Sequence, residues 1–316
     1  MSTTNPQQIA DIAALDQGKS LSEKIGAIER PQTPAQRFVR WLTNSSITFI
    51  VVVIALLWSI PTFGLFISSF RPVTLINTSG WWTGLLPSWH FTLENYQAVI
   101  LQQGLGQAFL NSLIIAIPGT LFPMLIGAFA AYAFAWMKFP GRDWIFLGIV
   151  ALLVIPNQIA LVPILSLFTQ IGLTGKYAAV WIVHTAFGLP FAVFLLRNFF
   201  SALPSDLMES AQIDGASAFR RFWNIIVPLS VPALASLAIF QFMWVWNDLL
   251  IALLFLGGNR DVAPMTLAVA DLVGSYGEGY QLLTAAAFLS MTLPLVVFFS
   301  MQRYFIRGIL AGSVKG

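Results

Sequence analysis

The chain has no cysteine, only two histidines, and few charges: Asp, Glu, Lys and Arg make up 9% of its 316 residues. Without cysteine it has neither disulfides nor thiolate metal sites. The scarcity of ionisable groups leaves no clustered carboxylates, no H-E-x-x-H and no G-x-S-x-G elbow, so a membrane-embedded enzyme is disfavoured. A phosphate loop of the form G-x-x-x-x-G-K-[ST] is also missing. The nearest fragment, Gly172-Leu173-Thr174-Gly175-Lys176-Tyr177, has the wrong spacing, so any ATP-derived energy must come from another chain. No basic cluster is interleaved with aromatics, so the net charge of +3 gives no support to nucleic-acid binding. The first 40 or so residues lack the continuous apolar core of a secretory signal and are expected to stay attached as a polar tail.

What fills the chain instead is apolar: 57% of its residues are hydrophobic and its mean hydropathy is +0.78, more apolar surface than a soluble domain can hide. Runs long enough to cross about 30 Å of hydrocarbon lie near 46–70, 109–136, 144–168, 178–199, 230–255 and 282–302. The expected fold is an all-α integral membrane protein of six transmembrane helices, with a tail over 1–45 and a membrane domain over 46–316. Pro61, Pro118, Pro123, Pro156, Pro163, Pro190 and Pro294 fall inside these runs, where membrane helices keep proline as kinks. With both termini in the cytosol, 13 of the 16 Lys and Arg lie on the cytosolic side, and only Arg71, Lys176 and Arg260 lie outside. That asymmetry is the positive-inside pattern.

The same orientation puts the polar stretch Pro204 to Pro228 in the cytosol. Asp206 and Glu209 are spaced to cap a first short helix, which Gly215 ends. Ser217 is placed to cap a second, whose apolar positions Phe219, Phe222, Trp223 and Ile226 recur at i, i+3, i+4 and i+7, with Arg220, Arg221 and Asn224 opposite. Glu209, Ser210, Ala211, Asp214, Gly215 and Pro228 together resemble the EAA signature of bacterial ABC-importer permeases, with Ser210 where the family usually has Ala. Thr92-Leu93-Glu94-Asn95-Tyr96, Trp246-Asn247-Asp248 and the ending Arg307 to Gly316 resemble carbohydrate-uptake members of the maltose and α-glucoside type.

The resemblance implies a bacterial or archaeal inner-membrane half-pore. Such a chain pairs with a second homologous permease, sits in membrane lipid, and docks through Glu209 to Ile226 on a separate ABC ATPase dimer. An extracytoplasmic sugar-binding protein delivers the cargo. The chain itself then binds no cofactor, and ATP and Mg2+ belong to the partner ATPase. Outer loops are expected over 71–108 and 257–281; the loop from Gly257 to Tyr280, with Asn259, Asp261, Tyr276 and Glu278, resembles in position the one by which such a permease probes the binding protein, and equally reads as a plain exposed connection. The cargo expected from the resemblance is an α-glucoside or another small oligosaccharide.

For a substrate path, Gln241, Trp244 and Asp248 recur at i, i+3 and i+7 on one face of the fifth predicted helix, with Asn247 beside them. Asn157 and Gln158 at the Pro156 kink are second candidates. Amides and carboxylates beside flat aromatic faces suit sugar hydroxyls, and the same groups equally suit hydrogen bonds between helices. His184, alone in its helix, is read as satisfied by a neighbour. The alternative is a proton-coupled secondary sugar carrier in which Asp248 titrates; six helices and a docking segment weigh against it.

Overall fold

The computed structural model describes residues 34–85, 90–272 and 279–313, with side chains over 46–85, 90–272 and 279–303. Residues 1–33, Trp89, Tyr276, Glu278 and residues 314–316 lie outside the described residues. Among those described, every regular element is helical. The chain divides into two compact units, residues 1–63 and residues 64–316. The first contains the start of α1, Pro34–Ser69, so residues 34–45 of the expected tail are helical.

In the second unit the long helices are α2, Leu105–Trp136, α5, Tyr177–Ser201, and α11, Tyr280–Ser313. These three and the Ser46–Ser69 part of α1 are each long and apolar enough to cross a membrane. The third predicted span is not one straight helix. It is α3, Arg142–Leu152, and α4, Asn157–Gln170, meeting at 94°. Pro156 is the residue before α4 and has no N–H to offer the preceding turn, so the apolar run conceals a corner. The fifth predicted span is broken as well. Helix α8, Val231–Trp246, ends before Asn247, and a separate α9, Leu250–Leu256, follows. Between α5 and α8 lie α6, Ser205–Ile213, and α7, Ala218–Arg221, and after α9 comes α10, Met265–Asp271.

The core is a seam between α2 and α5, joined by α8. A very close approach occurs at Gly127: a Cβ there would lie 2.7 Å from Ala192 Cβ on α5. In hydrocarbon, where helices gain nothing by hiding apolar surface from water, such small-residue contacts supply van der Waals packing. One packed layer gathers Ala128, Ala131, Leu196 and Phe200 with Met208, Phe222 and Ile226 of the α6–α8 connection. A second gathers Ile115, Val180, Val183, Trp246 and Phe255.

Polar ties fix what the apolar layers leave free. Asn111, fully buried on α2, donates to the carbonyls of Asp261 (2.9 Å) and Ala263 (3.0 Å), and accepts from Gln107 Nε2 (2.9 Å) and Tyr177 OH (2.7 Å). One side chain thus moors the segment before α10 to α2 and α5. Asn111→Leu is expected to cost about 1–3 kcal/mol, the range for leaving buried hydrogen-bonding partners unpaired. Thermal unfolding would measure this loss, and faster protease nicking at 257–264 should accompany it.

The Thr92 to Tyr96 phrase plays a similar part at the end of α1. Asn95 Nδ2 donates to the carbonyls of Ser69 and Arg71, both at 2.9 Å, and Tyr96 OH meets Ser69 Oγ at 2.8 Å. Thr92 Oγ1 accepts from Glu94 N at 3.1 Å, two residues on, so it makes a local turn rather than a helix cap. The buried Arg71 is wrapped by oxygens instead of a carboxylate. Its guanidinium donates to Leu75 O, Ser79 O, Ser79 Oγ and Thr83 Oγ1, closing the turns between α1 and the short 3-10 helix Trp81–Leu85.

Candidate functional site

Two regions hold the residues singled out in the sequence. The first is the connection between α5 and α8. Gly215 has φ +72°, with no heavy atom within 4 Å of where its Cβ would stand, so the backbone conformation alone demands glycine. Ser217 Oγ accepts from Arg220 N at 3.3 Å and caps α7 as expected. Asp206 does not cap α6: the residue before α6 is Pro204, and no side-chain cap bond forms. Asp206 lies instead in the first turn, where its carboxylate faces the positive end of the helix dipole. A link between the two short helices runs from Arg221 Nη1 to Gln212 Oε1 at 3.2 Å.

The predicted apolar stripe of α7 is split. After Arg221 the helix widens into a π turn, Phe222–Ile226, before a last turn, Val227–Leu229. The extra residue in that turn shifts the 3.6-residue period only beyond Phe222, so Phe219 and Phe222 differ in what covers them. Phe222 and Ile226 point inward, at 3% and 0% exposure, while Phe219 stands 66% exposed and Trp223 40%. Phe222 stacks on Phe129 of α2 at 4.6 Å and meets Tyr132 edge-on at 5.4 Å. Phe222 is therefore an anchor of this segment and is not available on its surface. Glu209, Ser210, Asp214, Gly215 and Pro228 are exposed and Ala211 half-buried, beside Leu207, Phe219 and an 85% exposed Ile213. The free face combines carboxylates with bare apolar side chains.

The second region surrounds α8. Asn157, Gln241 and Trp244 share an open cleft of about 300 Å3, walled by Leu153, Phe187, Gly188, Phe191 and Phe240. Non-helical backbone at membrane depth is tolerated only against protein or a water-filled cavity, which fits the α3–α4 corner opening onto this cleft. Gln241 also ties helices together: its Nε2 donates to the carbonyls of Gly119 on α2 (3.1 Å) and His184 on α5 (3.4 Å). Gly188 makes room for it, since a Cβ there would fall 2.6 Å from Gln241 Nε2. Gly188→Ala should therefore displace the Gln241 amide and lower the melting temperature, with Gln241→Ala giving no further loss on top of it.

Gln158, Asn247 and Asp248 do not line the cleft. Gln158 is exposed beside it on α4. The Trp246-Asn247-Asp248 phrase ends one helix and starts another, which is why Asp248 leaves the face shared by Gln241 and Trp244. Trp246 is the buried anchor, its Nε1 donating to Ser290 O on α11 at 3.0 Å. Asn247 Nδ2 bonds back to Met243 O at 2.7 Å, a local bond that competes with helix continuation. Asp248 Oδ2 accepts from the amides of Ile251 (2.9 Å) and Ala252 (3.2 Å), capping α9. The same oxygen lies 3.9 Å from His184 Nε2. The aromatic wall residues Phe187, Phe191 and Phe240 were not singled out in the sequence, where each merges into a uniformly apolar run.

Among the described residues the architecture is that of a membrane protein: helices long and apolar enough to cross a membrane, two bent pairs, a cleft and an exposed short-helix pair. Residues 124–310 match the family described as Binding-protein-dependent transport system inner membrane component. The chain is 55% identical over 271 residues to the osmoprotective compounds uptake permease protein GgtD of Synechocystis sp., covering 84% of this chain and 90% of that one. It is 53% identical over 231 residues to the alpha-glucoside transport system permease protein AglG of Rhizobium meliloti, covering 72% of this chain and 61% of the relative. In fold it resembles a chain of a bacterial ABC transporter involved in the import of the polysaccharide alginate, with TM-score 0.61 at 16% identity, over 86% of this chain and 99% of that one. The protein belongs to the family of inner membrane components of binding-protein-dependent transport systems. It is thus an inner-membrane transport component and not an enzyme.

Proposed function

We propose that the chain is one half of the pore of an ATP-driven importer of α-glucosides or similar small glycosides, working with a second permease, an ATPase dimer and an extracytoplasmic binding protein. The observation that carries the coupling half of this reading is the segregation of α6 and α7. Met208, Phe222 and Ile226 lock the segment into the membrane bundle, while Leu207, Ile213 and Phe219 are left bare beside Glu209 and Asp214. A soluble connection has no reason to present apolar side chains on a rigidly anchored pair of helices, and an ATPase groove supplies one. ATP and Mg2+ would act on that partner, whose closure would move the anchored pair as a rigid body. The cargo class rests on the α-glucoside and osmoprotectant relatives together with the Asn157, Gln241 and Trp244 cleft, which offers amides beside aromatic faces. The carrier alternative needs an Asp248 free to exchange protons with solvent, and Asp248 Oδ2 is instead engaged by two amides of α9.

The cysteine-free chain permits a direct test. A single cysteine at Ile213 or Ser210, co-expressed with the ATPase, is expected to crosslink to a cysteine on the ATPase surface with a yield that changes on adding ATP. No crosslink from either position, with an ATPase that still co-purifies, would refute the docking assignment. For the cleft, Trp244→Ala should lower uptake of radiolabelled trehalose or sucrose about tenfold or more in proteoliposomes holding the whole transporter, with ATPase association unchanged.

A further inference from the structure

Behind the cleft, Ser112 of α2, His184 of α5 and Asp248 between α8 and α9 meet around a second, much smaller cavity of about 10 Å3. His184 is 1% exposed, and its Nδ1 has no hydrogen-bond partner. A bare ring nitrogen in a dry core is tolerated better as a lone pair than as an N–H, which puts the proton on Nε2, the atom facing Asp248. At 3.9 Å from Nε2, Asp248 Oδ2 is beyond a direct hydrogen bond but within reach of a bridge made of two bonds of about 2.8 Å. Ser112 Oγ already accepts from Met265 N at 2.8 Å, so its own proton remains available to the cavity. The space holds about one water-sized sphere, and a buried water characteristically finds about three partners.

We infer that this cavity is a binding site for a single water, held by His184 Nε2, Asp248 Oδ2 and Ser112 Oγ, and that His184 is a positioning residue for the break after Trp246. The water would accept from His184 and Ser112 and donate to Asp248, leaving the Oδ2 bonds to Ile251 and Ala252 intact. The Asp248 carbonyl also accepts from Thr266 Oγ1 at 2.8 Å, so the same point ties in α10. On its other side the His184 ring meets Trp244 edge to face, with centroids 5.2 Å apart. His184 thereby presents Trp244 to the cleft. This last step rests on the cleft being the solute path, whereas the water site and the hold on α9 do not.

The test uses the assembled transporter in lipid nanodiscs. A cryo-electron-microscopy map fine enough to show ordered waters is expected to contain one peak within hydrogen-bonding distance of all three atoms. An empty cavity, or His184 Nε2 in direct contact with Asp248, would overturn the site. His184→Leu should speed deuterium exchange across 248–256 about tenfold, and His184→Gln, which restores a donor, should return it to within about threefold of the native rate. Unchanged exchange in the leucine variant, or a glutamine variant no better than leucine, would overturn the positioning role. A leucine variant that fails to assemble leaves the decision to the native map and the glutamine variant. Should Trp244→Ala leave uptake unaffected while these exchange results hold, the solute path would be misplaced and the water site would stand.

Discussion

Phe222→Ala should destabilise the protein by about 3–5 kcal/mol, the usual cost of emptying a buried phenylalanine site. Phe219→Ala, three residues earlier, should change stability by less than about 0.5 kcal/mol, as exposed substitutions do. The reason lies in their surroundings: Phe222 stacks on Phe129 at 4.6 Å and is 3% exposed, while Phe219 is 66% exposed. The functional outcomes should invert. On the docking assignment, Phe219→Asp leaves a well-folded chain that no longer retains the ATPase through purification, and uptake is lost with it. Phe222→Leu, which keeps an apolar anchor, should retain both at a lowered melting temperature. Thermal unfolding beside co-purification separates the two residues, and a Phe219 variant that unfolds or a Phe222→Ala variant with native stability would contradict the assignment.

The second large effect lies in the α2–α5 seam. Gly127→Ala places a methyl carbon 2.7 Å from Ala192 Cβ, closer than carbon atoms pack, with the Ala192 backbone carbon at 3.4 Å behind it. Neither neighbour is the end of a flexible chain, so the helices must separate, at an expected cost of about 1–3 kcal/mol. Gly127→Leu should prevent accumulation of folded protein. The specific check is compensation: Ala192→Gly removes the opposing methyl, so the Gly127→Ala, Ala192→Gly pair should recover most of the loss. A non-additive recovery of about 1–2 kcal/mol would show that the two residues act through one contact. Strict additivity would mean that the seam yields elsewhere.

Both predictions turn on what sequence reading can and cannot reach. Gly215 and Ser217 were legible because their chemistry is local: a left-handed turn asks for glycine, and a cap asks for a hydroxyl within three residues. Phe219 and Phe222 were placed on one stripe by helical periodicity, which reports a shared face but not how far along it a neighbouring helix reaches: Phe129 and Tyr132 cover Phe222, while Phe219 stays exposed. The long apolar runs announced a membrane bundle but masked its corners, since Leu152 to Pro156 is as apolar as the helices on either side. Of the six path candidates, Asn157, Gln241 and Trp244 meet in one cleft, whereas Asp248 is diverted by the helix break into capping α9. Asn111 went unnoticed because its partners Asp261 and Ala263 stand 150 and 152 positions away, a separation no local pattern reports. A lone asparagine in an apolar span was the available signal.

The π turn at Phe222–Ile226 also bears on how relatives of this chain can diverge. A π turn contains one residue more than an α turn, so it is the form a single inserted residue takes inside a helix that keeps its two ends. Losing that residue would restore an ordinary helix and leave Ile226 and α8 in place. The short helix α7 before it would be driven to rotate by about 100° about its axis, the angle one residue subtends, against the hold that Met208 keeps on α6. Phe219 would then sweep about a quarter-turn around the tip, and the exposed face would point in a new direction with its amino acids unaltered. Reorienting that exposed face is thus one codon deletion away, an evolutionary step that substitution at the surface would need several changes to match.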